Sequence, residues 1–184
     1  MSTKNGSKTR SQQEIAAVGS KKKEYQLKAL DLKALERSHI TMNKKAQFEY
    51  LKKDFYQGFP AFCGFEVNHV DDGVFETILK IDSRHIQQDG FVHAGVLATM
   101  ADHTAGYAAF TKVSKDVRIL TIEFKINFFK PASGDFIICR SRVVNAGKKI
   151  LVSESEIFSL SKDKEKLVSK AMVTLMAVPA AALA

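Results

Sequence analysis

The chain has 184 residues, 45% hydrophobic and 26% charged, with two cysteines and no apolar run near the roughly 20 residues of a membrane span. That composition suits one globular core with a short appendage. It excludes a disulfide-stapled scaffold, and without an apolar leader the expected location is the cytoplasm.

The net charge is +8, and it is unevenly placed: residues 1–53 hold 13 Lys/Arg against 5 Asp/Glu, and residues 54–184 hold 15 of each. A basic extension suits nucleic acid, a membrane surface or an acidic partner, but a solvated tail is the simpler reading. Nucleic acid is therefore not the expected partner.

In chain order, residues 1–10 are polar and read as disordered. Residues 11–37 favour helix, with a break at Gly19-Ser20; Leu27, Leu30 and Ala34 share one face. Thr41-Met42-Asn43 can cap a helix over 44–56, with Phe48, Leu51 and Phe55 on its apolar side and Gly58 and Pro60 ending it. The expected division is an extension over 1–42 and a domain over 43–184.

"FCGFEVNHV" then reads as a strand from Phe62, Asp72-Gly73 as a hairpin turn and "VFETILKID" as the returning strand. A loop to about Val92 leads into a helix ending near Thr111. Four strand-like runs follow, broken at Pro131 to Gly134, Ala146-Gly147 and Asp163-Lys164. Cys63 and Cys139 lie in apolar patterns and read as buried thiols.

One long helix among six antiparallel strands predicts an α+β fold in which a curved sheet wraps the helix. The helix is rich in Ala and Gly, which lets the sheet approach closely. Asp102 is the exception in it, because an ionised carboxylate is costly to bury unless it is paired or used. On its own it reads more readily as an ordinary surface acid, since carboxylates are mostly exposed.

The stretch "QQDGFVHAGVLATMAD" resembles the hotdog-fold thioesterases of the phenylacetate-pathway (PaaI) type. Their motif has Asn or Gln, then Gly, then His-Gly-Gly, then an acid seven positions on. The matching residues are Gln87, Gly90, His93-Ala94-Gly95 and Asp102, with Ala94 in place of the first Gly of the pair. "LTIEFKINFFKPASGD" resembles the strand and Pro-containing turn that follow the helix in that family. The likeness runs from about Phe62 to Val178; residues 1–53 fall outside it.

The resemblance implies hydrolysis of an acyl-CoA thioester with no cofactor, coenzyme A being part of the substrate. It implies a homodimer, or a homotetramer built as a dimer of dimers. Each site would take Asp102 and Thr121 from one chain and Gln87, His93 and Ala94 from the other.

The chemistry also follows from the residues. A helix starting near Ala94 offers free N–H groups and a positive dipole end, so the N–H of Ala94 or Gly95 can hold a developing oxyanion. Asp102, about two turns on, can attack a carbonyl or deprotonate water. Gln87 can orient water or the carbonyl. In the family Thr121 corresponds to a Ser or Thr that positions water; strict alternation puts it with Glu123, opposite Leu120, Ile122 and Phe124.

His93 reads as a brace rather than a proton carrier, and His103 points about 100° from Asp102 around the helix, as a structural or rim residue. His39, His69 and His85 show no metal spacing. Lys130, Arg140, Lys148 and Lys149 are candidates for the phosphates of coenzyme A, with Lys130 foremost. Met100, Tyr107 and Phe110 are candidates for the acyl pocket.

Two other readings stand beside the hydrolase. One is a non-catalytic acyl-CoA sensor using its basic segment on DNA, although residues 11–58 show no helix-turn-helix pattern. The other is a hotdog dehydratase or hydratase, whose His-plus-acid motif is absent.

Overall fold

A computed structural model of the chain describes residues 43–183; the segments expected to be disordered over 1–10 and helical over 11–37 lie outside them. Helix α1 covers 43–55, and Leu51 and Phe55, four apart on its inner face, are each 1% exposed. The next segment departs from expectation. Gly58–Cys63 forms a second helix, α2, rather than a break and the start of a strand. Pro60 is tolerated because it lies in the first turn, where its missing N–H has no intrahelical partner to lose. Gly64, at φ +79°, ends the helix with its N–H donated back to Ala61 and Pro60 carbonyls, so the strand starts only at Phe65.

Strands β1 (Phe65–Asp71) and β2 (Val74–Lys80) form the expected hairpin, and helix α3 runs from Ala94 to Phe110. β3 (Val117–Phe128), β4 (Phe136–Ala146), β5 (Ile150–Ser161) and β6 (Lys164–Pro179) follow. All strands pair antiparallel in one six-stranded sheet of order β1-β2-β4-β5-β6-β3. The β5–β6 turn is centred on Lys162-Asp163, both at positive φ, as a two-residue hairpin loop requires.

α3 lies across the concave face and packs on β2 through β6. Met100, Ala101, Ala105, Ala108 and Ala109 are all fully buried. The small side chains bring the helix backbone near enough to be fastened by polar contacts: Ser155 Oγ donates to the Ala101 carbonyl at 2.8 Å, and the Thr77 and Thr104 hydroxyls meet at 2.8 Å. Cys63 and Cys139 are free and buried, as expected. Elsewhere on the sheet charges pair across strands. Arg140 binds Glu165 with two 2.7 Å bonds and also Glu76, which occupies it and removes it from the candidates for a phosphate.

β3 corrects a second expectation. A bulge between Thr121 and Glu123 leaves Ile122 as the extra residue. Thr121 is opposite buried Leu175 and Phe124 opposite buried Val173. Phe124 therefore joins Ile119 and Thr121 on the helix side, and Glu123 joins Leu120 on the other. A strict period of two fails here because one residue of β3 has no partner.

Candidate active site

The segment before α3 is clamped from both sides. The Gln87 carbonyl accepts from Gly90 N–H at 3.0 Å, and Gln87 N–H donates to the Phe91 carbonyl at 2.8 Å. Gly90 sits at φ +80°, a conformation that other residues adopt only with strain. Val92 N–H reaches the Ala132 carbonyl at 2.9 Å, and His93 N–H the His85 carbonyl at 2.8 Å, so the Pro-containing turn and the loop hold each other.

His85, which carried no pattern in the sequence, is part of this frame. Its ring is 2% exposed; Nδ1 accepts from Asp82 N–H at 3.0 Å, and Nε2 lies 2.8 Å from the Cys63 carbonyl. Since Nδ1 accepts, the proton is on Nε2, which donates.

His93 is the N-cap of α3. Its Nδ1 accepts from Gly95 N–H at 2.9 Å, so this ring too is a brace and carries its proton on Nε2. Of the two N–H groups considered for the carbonyl, Gly95's is taken by that bond, while among the described residues Ala94's has no acceptor. The bond also sets the two positions of the pair apart. A Cβ on Gly95 would lie 2.9 Å from His93 Nδ1, whereas Ala94 carries its methyl at an exposed position.

Eight residues along α3, the Asp102 carboxylate accepts a 2.8 Å hydrogen bond from Thr121 Oγ1. Thr121 lies just before the bulge in β3, opposite buried Leu175, and so faces the helix where this bond forms. Asp102 and Thr121 line a cleft of about 270 Å³ with Asp54, His103, Tyr107 and Arg118. Gln87, Ala94 and Lys130 line a different cleft of about 290 Å³, among Phe91, Phe128 and Phe129. The expected site residues thus fall into two groups. Ala94 and Asp102 are separated by roughly 12 Å of helix.

The Asp102 cleft contains groups that the sequence did not single out. Asp54, on α1, accepts from Tyr107 Oη at 2.8 Å, Tyr50 Oη at 3.2 Å and Gln57 Nε2 at 3.2 Å. Only the i, i+4 spacing of Tyr50 and Asp54 hinted at this; the link to Tyr107 spans 53 residues. Burial, with the bond to Asp54 adding to it, pushes the Tyr107 hydroxyl well above the usual tyrosine range.

His103 packs between Phe55 and Tyr107, at ring distances of 4.7 and 5.0 Å. Burial holds its pKa below the usual histidine value, against the opposing pull of the Asp102 charge and a hydrogen bond to the Phe55 backbone. Of the residues considered for the acyl pocket, Tyr107 and Phe110 line this cleft, while Met100 is fully buried in the core. Among the described residues no three His, Cys, Asp or Glu side chains converge to hold a metal, and no helix is long and apolar enough to cross a membrane.

An antiparallel sheet wrapped on one buried helix, with an acid on that helix facing a cleft, defines the hotdog class. Residues 89–166 match the model of the Thioesterase superfamily. A thioesterase family protein from Silicibacter pomeroyi is 30% identical with a TM-score of 0.69, over 72% of this chain and 98% of that one. A protein of Halobacterium salinarum, provisionally named an esterase, is 31% identical over 107 residues, 54% of this chain and 69% of its own length. The 1,4-dihydroxy-2-naphthoyl-CoA hydrolase of Listeria monocytogenes is 23% identical over 64% of this chain and 94% of its own. Two further sequence relatives are matched over 60% and 59% of their length. The chain belongs to the thioesterase superfamily.

Proposed function

We propose that the protein hydrolyses an acyl-CoA thioester to a carboxylic acid and free CoA. The observation that carries this reading is the Asp102 carboxylate, held by Thr121 in a cleft on a helix whose first N–H is free.

Thr121 occupies one carboxylate oxygen and leaves the other for chemistry. Two routes use it. Asp102 attacks the carbonyl carbon, the C–S bond breaks, CoA leaves as thiolate and is protonated, and water cleaves the resulting anhydride. Alternatively, Asp102 takes a proton from water as the hydroxide attacks, and the C–S bond then breaks with that proton passing to sulfur. In both, the Ala94 N–H and the positive end of α3 stabilise the oxyanion, and Gln87 orients water or the carbonyl. Gly90, His93 and Gly95 hold the loop, and Lys130 meets a CoA phosphate.

One chain cannot deliver both halves to one carbonyl. The oxyanion donor and the acid must each come within about 3 Å of the reacting group, yet they are roughly 12 Å apart along α3. A second copy resolves this by bringing its Ala94 end to the first copy's Asp102. β3 suits such pairing: it is an edge strand of 12 residues, with Leu120, Ile122 and Phe124 at 40, 54 and 41% exposure. The working unit is therefore a homodimer, or a dimer of dimers.

Asp102→Asn tests the assignment. It should lower kcat for acyl-CoA hydrolysis by about a hundredfold or more with the dimer intact by sedimentation; unchanged turnover would remove Asp102 from the mechanism.

A further inference from the structure

Among the exposed large apolar side chains, Leu120, Ile122 and Phe124 lie on the β3 edge, and Phe91, Phe128 and Phe129 surround the Ala94 cleft. The second copy called for above accounts for both groups. The pair on α2 has no such account. Phe59 is 60% and Phe62 68% exposed, the most exposed phenylalanines among the described residues. α2 packs on β1 and α3. It thus stands at the opposite edge of the sheet from β3, about 24 Å away across five strand spacings.

The fold holds these two rings outward. Pro60 and Cys63 are buried beneath the helix. Phe59 and Phe62, three apart, share its outer side, with stacked rings whose centroids are 6.3 Å apart. Each of the last four carbonyls of α2 has a donor: Gly64 N–H serves Pro60 and Ala61, Arg84 Nη1 serves Phe62 at 3.1 Å, and His85 Nε2 serves Cys63 at 2.8 Å. Gly58, at φ +56°, makes the sharp turn from α1. Apolar surface kept exposed on a fixed platform marks a contact.

The surroundings are basic. Lys45, Lys52 and Lys53 are exposed on α1 around one acid, Glu49, which Lys52 pairs at 2.9 Å. Tyr56, also exposed, follows Lys53 and precedes Phe59. Lys53 and Phe59 are six residues apart, within about 20 Å even at full stretch. Arg84, exposed and paired with Asp82 at 3.0 Å, stands beside Phe62. α1 also closes the stretch of chain, residues 1–53, in which 13 Lys/Arg face 5 Asp/Glu.

We propose that α2 and the outer side of α1 dock on a bilayer of anionic phospholipid, with Phe59 and Phe62 entering the boundary between headgroups and acyl chains and the lysines meeting lipid phosphates. The two signals need each other: a small apolar insertion or a basic stretch alone binds weakly and reversibly, and the two together anchor. Duplex nucleic acid matches the lysines but offers no apolar layer to two phenyl rings. The docking is peripheral and independent of the thioesterase reading.

The test is co-sedimentation of the full chain with vesicles of phosphatidylcholine alone and of phosphatidylcholine mixed with phosphatidylglycerol. Binding to the mixed vesicles should be about tenfold tighter or more, and should weaken with added salt. The double variant Phe59→Ser, Phe62→Ser should lose about tenfold of that affinity at constant salt. Its circular dichroism and assembly state should not change, because both rings are exposed. The chain has no tryptophan, so Phe62→Trp supplies a single reporter. Its emission should shift to the blue on adding mixed vesicles and be quenched by brominated lipid, which attraction by charge alone does not produce.

No binding to the mixed vesicles, equal binding to both kinds, affinity unmoved by the double variant, or a tryptophan that stays in water overturns the proposal. A double variant with an altered assembly state also overturns it, by assigning the two rings to a contact between copies.

Discussion

Gly95 and Thr121 carry opposite kinds of demand on one residue. Gly95 is required for what it lacks: a Cβ would press on His93 Nδ1 at 2.9 Å, so Gly95→Ala must push the ring off the helix end. The expected loss is about 1 kcal/mol, the worth of an N-cap, read as a lower Tm, with a fall in kcat as the Ala94 N–H is set free to move. His93→Asn keeps a capping acceptor and should recover most of the stability. Thr121 is required for its hydroxyl. Thr121→Val keeps the strand but removes the donor that fixes Asp102; kcat should fall about tenfold, the effect of a bond worth about 1.4 kcal/mol, with the melting transition nearly unchanged. The motif residues were legible in the sequence because their spacing is local: His93 to Gly95 is one cap, and Gln87 to Gly90 one turn. Asp54 with Tyr107, and His85 with Cys63, were not, because each pair meets only after the sheet and helices have packed.

Among the elements, the sheet was readable and its irregularities were not. Alternating apolar runs and Gly-containing turns gave all six strands and the central helix. The bulge at Ile122 has no local mark: Thr, Ile and Glu fit a regular strand equally well, and the extra residue is defined only by its pairing with β6. Likewise Gly58 and Pro60 look like terminators until Gly64 is seen to close a short helix that contains them both. β3 also bears the prediction about assembly. Ile122 is 54% exposed on an edge strand, so Ile122→Lys should leave the monomer's circular dichroism unchanged. It should shift sedimentation towards monomer and reduce turnover in proportion. A monomer with full activity would mean that one chain makes a complete site, contrary to the spacing of Ala94 and Asp102.

At the scale of the whole molecule, stability and charge each make a claim. Burial lowers the His103 pKa, with Asp102, Asp54 and the Phe55 carbonyl facing the ring and pulling the other way. As pH falls below the unfolded value of about 6.5, the unfolded chain takes up a proton that the folded chain refuses. Stability attributable to His103 is thus full above that pH and declines below it, down to the folded pKa. The Tm difference between pH 7.5 and 5.5 should shrink in His103→Gln. The charge claim concerns the amino-terminal segment. All of the +8 lies in residues 1–53, while the hydrolase chemistry argued above uses residues beyond them. If the basic segment is a solvated tail, a chain starting at residue 43 should keep kcat/KM and its assembly state. The full-length chain should then show no salt-dependent binding to duplex DNA even at low ionic strength, where phosphate contacts are strongest. Tight DNA binding that weakens steeply with salt and disappears on removal of residues 1–42 would instead mark an acyl-CoA-responsive regulator built on the same fold. In that case Asp102→Asn should leave DNA binding intact, which separates the two functions within one chain.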